Sequence, residues 1–190
     1  METMIYNLLE KCRSYRRFNA EKKIKRDELV ELVNSARVTA SAANRQVLRY
    51  ALFTDTAECD SIFSTLKFAG YLTDWKGPAV AERPVAYIVI ASEGELSTTA
   101  AIDLGIAAEA ITLTASERGI GSCMFLSFGR EDIAALIPDA KMIPRMVIAL
   151  GYPTETVRLT DVTDGDIKYY RNEKDEHIVP KRTLDELIIN

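Results

Sequence analysis

Hydrophobic positions fall in blocks of two kinds along the chain. Leu29, Val30, Leu32, Val33 and Ala36 recur at helical spacing within the stretch opened by Asp27, so a helix is predicted over 27–40. Val47–Phe53 alternates, with Leu48, Tyr50 and Leu52 on one side, as a half-buried strand does. Val85–Ala91, Ser122–Ser127 and Met146–Leu150 are short, nearly continuous apolar runs and read as buried strands. Further helices are expected over 3–12, 56–68 and 131–136.

The longest block runs from Ser97 to Arg118 and ends at Gly119-Ile120-Gly121. Apolar residues cover most of its circumference, and Asp103 and Glu109 are its only charges before the last turn. A helix hydrophobic all round is buried in a core or against a partner. Its charges and repeated threonines argue against a membrane span. The Gly-Ile-Gly that follows is no nucleotide fingerprint, because there glycines follow a strand and open a helix. Gly119 is instead expected to end the helix. From Thr154 to Pro180 the chain turns polar and loses any period. Strands and helices alternate irregularly, which suits an α+β architecture in a single domain spanning 1–190.

Composition narrows the function. A net charge of −4 argues against nucleic acid as the partner. Cys12, Cys59 and Cys123 are widely spaced, lack metal-ligand or redox spacing, and suit a reducing, cytoplasmic setting. The opening METMIYNLLEKCRSYRRF lacks the pattern of a signal peptide. One histidine, His177, removes most zinc sites and Ser/His/Asp triads, and its polar surroundings suggest that it faces solvent. Cys123, in an apolar strand, reads as a structural thiol.

Two polar stretches could carry chemistry. Arg13, Ser14 and Arg16 could bind a phosphate through guanidinium and hydroxyl donors, or form a solvated basic turn. Ser41, Asn44 and Gln46 could meet both donor and acceptor edges of a heterocycle, or serve only as turn residues. The pair Lys181-Arg182 is, by itself, surface charge.

The order of these stretches resembles the flavin-dependent nitroreductase family. Its members read R-R-S-x-R-x-F, then P-S-x-x-N-x-Q-P-W, D-x-G-x-A, G-x-G-(S/T)-C and A-L-G-Y-P. Here stand Cys12-Arg13-Ser14-Tyr15-Arg16-Arg17-Phe18, Ser41-Ala42-Ala43-Asn44-Arg45-Gln46, Asp103-Leu104-Gly105-Ile106-Ala107, Gly119-Ile120-Gly121-Ser122-Cys123 and Ala149-Leu150-Gly151-Tyr152-Pro153. The resemblance implies an α+β homodimer with a central mixed or antiparallel sheet flanked by helices, and the long buried helix at the dimer interface. It implies FMN, with NADH or NADPH as reductant and a nitroaromatic, quinone or similar small electron-poor acceptor. Residues 154–190 would pack on the partner subunit. By position, Arg13, Ser14 and Arg16 would hold the phosphate and ribityl chain, joined by Lys181 or Arg182. Ser41, Asn44 and Gln46 would come from the other subunit, Lys67 would face the pyrimidine, and backbone N–H groups at Leu126 and Ser127 would meet the flavin edge. No catalytic side chain and no metal are expected. Cys12, Val47-Leu48 and Leu126 depart from the family pattern. A non-catalytic flavin store or redox sensor is the alternative, and a flavin-free module binding acidic partners a third.

Overall fold

The computed structural model describes residues 3–190. A four-stranded antiparallel sheet forms its centre. The strands are β1 (Arg49–Phe53), β2 (Ala86–Glu93), β3 (Gly121–Phe125) and β4 (Met142–Gly151), in the order β1-β2-β4-β3. β2 and β4 are the inner pair, running from Ala86↔Leu150 to Glu93↔Met142 with one irregularity after Ile90. Because strand side chains alternate in direction, each inner strand feeds two cores. Ile88, Ile90, Met146, Ile148 and Leu150 face one layer, which contains α2 (Arg26–Arg37) and α4 (Thr98–Glu117). Tyr87, Val89, Val147 and Ala149 face the other, with Cys59 and Ile62 of α3 (Thr56–Thr65) and Ile133 of α5 (Arg130–Ala134). This two-sided burial is why the strands read as continuous apolar runs.

The long helix α4 begins where the Ser97 hydroxyl accepts the N–H of Ala100. It ends in a Schellman motif: Gly119, at φ +71°, donates to Ser116, and Ile120 donates to Ala115. It meets the length and hydropathy of a membrane span, yet eight of its residues are buried against the sheet and α2. Within this chain its burial is one-sided. Ile102 and Ile106 are 58% and 40% exposed, and α4 also contacts α1 (Met4–Lys11).

The polar tail is the larger surprise. Residues that show no hydrophobic period form a second sheet of β5 (Val157–Asp161), β6 (Tyr170–Arg171) and β7 (His177–Lys181), ordered β5-β7-β6, before a one-turn α6 (Leu184–Leu187). Its strands are short and mostly solvent-facing, so they carry little apolar signal. No residue of this sheet belongs to either hydrophobic core.

Where the central sheet ends, Gly151 packs under Phe18, which is fully buried. A Cβ at Gly151 would stand 2.8 Å from three Phe18 carbons. Gly151→Ala is expected to cost about 2 kcal/mol through overpacking. Thermal unfolding checks this, and an unchanged Tm would refute it.

Candidate functional site

The segment after α1 is drawn out along the free edge of β3. Ser14 bridges Ser122, and the Tyr15 N–H donates to the Ser122 carbonyl at 2.9 Å. Beside that bridge lies a cavity of about 250 Å³ bounded by Cys12, Arg13, Ser14, Glu109, Thr112 and Ser122. The Arg13 guanidinium is anchored by one nitrogen on the Leu9 carbonyl at 2.6 Å, while its buried Nε has no partner among the described residues. Burial pushes the Cys12 thiol up, so Cys12 supplies a neutral wall.

Arg16 turns away from that cavity. It is 8% exposed, and its Nη1 donates to the Ser14 carbonyl at 3.1 Å and meets His177 Nε2 at 3.0 Å. Its guanidinium carbon lies 4.8 Å from the centre of the Tyr169 ring. Glu155 accepts the backbone N–H groups of Arg16 and Arg17 through one oxygen and an N–H of Arg171 through the other. The expectation of a solvent-facing His177 is overturned: the imidazole is 1% exposed, because β7 is the inner strand of the small sheet. Burial first, then the Arg16 charge, lower its pKa from 6.5 to about 4.

Ser41, Asn44 and Gln46 form one knot at the other end of α4. The buried Asp103 carboxylate accepts the Ser41 hydroxyl at 2.8 Å and the Ala42 N–H at 3.0 Å. Ser41 Oγ in turn accepts the Gln46 N–H at 3.1 Å, and the Gln46 amide donates to Asn44 Oδ1 at 3.0 Å. Ala43, Asn44 and Gln46 all have left-handed φ, near +50°, an unfavourable conformation for L-residues that surrounding contacts must maintain. The loop rims an apolar cleft of about 410 Å³ that reaches Val30 and Val33 of α2.

The remaining candidates fall in two places. The Lys67 N–H donates to the Ser127 carbonyl at 3.2 Å, next to Leu126, whose side chain is largely exposed just past β3. Lys181 ends β7 opposite Asp161, and Arg182 pairs with Glu186 at 3.1 Å. The structure therefore joins Arg13 with Ser14, Ser41 with Asn44 and Gln46, and Lys67 with Leu126 and Ser127. No hydrogen bond or ion pair links one group to another among the described residues. Asp103 and Thr112, which carry the first two sites on α4, are nine residues apart, about 13 Å along the helix axis. Sequence reading missed the anchors Glu155 and His177. For Asp103 a signal existed, one of only two acids before the last turn of an apolar helix, but not for Glu155.

The family model described as "Nitroreductase family" matches residues 9–152. No curated protein matches the chain. A nitroreductase family protein from Streptococcus pneumoniae TIGR4 superimposes with a TM-score of 0.69 at 14% identity, over 98% of this chain and 99% of that one. An FMN-dependent nitroreductase from Clostridium difficile R20291 gives 0.64 at 21% identity, over 87% and 97% of the two chains. A nitroreductase with bound FMN from Bacteroides fragilis NCTC 9343 gives 0.65 at 17% identity, over 87% and 97%. At these identities the likeness establishes the fold.

Proposed function

The chain belongs to the nitroreductase family, and on that premise we propose that it is a flavin oxidoreductase that binds FMN. The observation that carries the proposal is the Arg13 pocket. Arg13, Ser14 and Thr112 line a small cavity, and the Arg13 guanidinium, held on the Leu9 carbonyl by one nitrogen, keeps an Nε without a partner among the described residues, a residue set suited to a phosphate. Glu109 on the rim limits the local positive charge. The residues present thus fit the phosphate end of FMN.

Bound FMN supplies the hydride chemistry. Arg13 and Ser14 hold its phosphate, with Lys181 or Arg182 completing the cradle. In a homodimer, the Ser41–Gln46 loop of a second copy lines the ring, and Lys67 and the N–H groups of Leu126 and Ser127 meet its edge. The apolar face around Ile102, Ile106, Met4 and Ile5 is the surface such a copy would cover. NADH or NADPH and an electron-poor acceptor, a nitroaromatic or quinone, occupy the same cleft in turn. Burial pushes the Cys59 and Cys123 thiols up to about 12 and about 11, which keeps them protonated. Three free cysteines suit a reducing, cytoplasmic compartment.

Titration of FMN by fluorescence quenching tests the reading. Wild type should bind, and Arg13→Ala should bind at least about tenfold more weakly, the worth of one charged hydrogen bond. Failure of wild type to bind would refute the proposal. A flavin store is the second reading, favoured by the exposed Leu126 side chain, 63% accessible just past β3. A bound flavin that neither NADH nor NADPH bleaches would select it.

A further inference from the structure

We propose that the C-terminal sheet is a strap latched onto the Arg13–Phe18 segment through Arg16 and His177, and that acid opens the latch by protonating His177. The strap has no core of its own and joins neither core of the domain. Polar and aromatic contacts hold it. Glu155 takes the N–H groups of Arg16 and Arg17, Arg17 pairs with Asp175, and Tyr71 stacks on Tyr169 with ring centres 5.0 Å apart. Such an attachment responds to charge in a way that an apolar interface would not.

The chemistry of the latch fixes its direction. An arginine N–H only donates, so the 3.0 Å contact requires an unprotonated, accepting Nε2 on His177. The other ring nitrogen then carries the hydrogen, and it is buried without a partner among the described residues. A second proton would set a donor against a donor and a positive ring against the Arg16 guanidinium. Arg171, on β6, adds to that repulsion, and Glu155 alone of the facing groups opposes it. Tyr169 lies over the ring at 5.1 Å between centres and carries no charge. Once protonated, the imidazole gains hydration only by leaving the pocket, which lifts β7 from the loop.

The loop so released is the one that carries Arg13 and Ser14. Strap and anion site are thereby coupled: Glu155 fixes the backbone two and three residues beyond Ser14. This part of the inference rests on the flavin reading above. His177 and Glu155 act on the site as positioning residues.

Trp75, the only tryptophan, reports the strap directly. Its ring packs between Arg17 and Arg171, 5.9 and 5.5 Å from their guanidinium carbons. In flavin-free protein, Trp75 emission should shift to the red as pH falls from about 7 to about 4.5. His177→Gln, which keeps an acceptor and cannot titrate, should leave the emission steady. FMN affinity measured at the same pH values should fall about tenfold in wild type and less than about twofold in the variant, as expected when the binding-competent fraction drops to a tenth. Because Glu155 is unchanged in the variant, a flat response assigns the transition to His177. A pH-independent wild type, or equal responses in both proteins, would overturn the strap. Should His177→Gln not fold, amide exchange in wild type decides. At acid pH the amides of His177, Ile178, Val179 and Lys181 must gain exchange beyond the intrinsic rate while those of β2 and β4 do not. A Trp75 transition in a protein that binds FMN equally at every pH would overturn the coupling. A Trp75 transition in a protein that never binds FMN would refute the flavin reading and support the strap.

Discussion

Asp103→Ala is expected to lower stability by about 3 kcal/mol, because one buried carboxylate serves two donors of the Ser41 loop. The Ala42 N–H loses its acceptor, and so does the Ser41 hydroxyl, whose oxygen holds the Gln46 N–H. With the knot undone, Ala43, Asn44 and Gln46 have nothing to offset their left-handed backbone and relax toward ordinary conformations. For a domain of this size the loss corresponds to a fall in Tm of roughly 8 °C. Asp103→Asn keeps one acceptor and should recover part of it. Thermal unfolding of the three proteins decides the matter, and a Tm for the alanine variant equal to that of wild type would show that the loop holds itself. Flavin affinity should fall with the alanine variant too, since that loop is the one assigned to the ring.

Acid should destabilise the whole fold through His177. With the strap closed this imidazole stays neutral down to about pH 4, whereas its ordinary value is 6.5, so acid favours any state that frees it. Its contribution is therefore complete above pH 6.5 and is lost as pH falls toward 4, because over that interval the unfolded chain takes up a proton that the folded chain refuses. At about 1.4 kcal/mol per pH unit, the window is worth at most about 3 kcal/mol to global stability, less whatever opening of the strap alone takes up. Urea unfolding at pH 7 and pH 4.5, in wild type and His177→Gln, isolates it from the carboxylates common to both. A difference between the two pH values that is the same in both proteins would remove His177 from the account.

The helix α4 was readable nearly to the residue, since Ser97 supplies a cap, Gly119 a left-handed stop, and the apolar positions between them leave no other reading. The doubly buried parts of the inner strands were readable for the same reason, but β4 begins at Met142, four residues before the apolar run that marked it, because its first residues are not buried on both faces. β1 was read two residues long, because pairing with β2 begins only at Arg49↔Ala91. α3 was read to Phe68, but Leu66 is already extended, and Phe68 turns into an aromatic cluster with Phe63, Trp75 and Phe125. Illegible were features made by pairs distant in sequence. Arg16 and His177 lie 161 positions apart, and nothing local to either residue announces that they meet. The strap's strands have so few buried side chains that no periodicity betrays them. The polar groups of the site were visible as residue types at the right spacing. Their orientation was not, and Arg16, buried beneath the strap, is the plainest case.

The order β1-β2-β4-β3 has a kinetic consequence. Its inner pair cannot form as a hairpin: Val89 meets Val147 at a separation of 58 positions, with α4 and β3 made between them. Joining these strands requires closing a long stretch of chain before any contact repays the lost entropy. Refolding is thus set by a non-local step and falls in the slow range of milliseconds to seconds. The tail, which docks only on a finished Arg13–Phe18 segment and Gly151 end, is the last piece to settle. A chain emerging from synthesis would complete its two hydrophobic layers first and gain its acid-sensitive fastening only at the end.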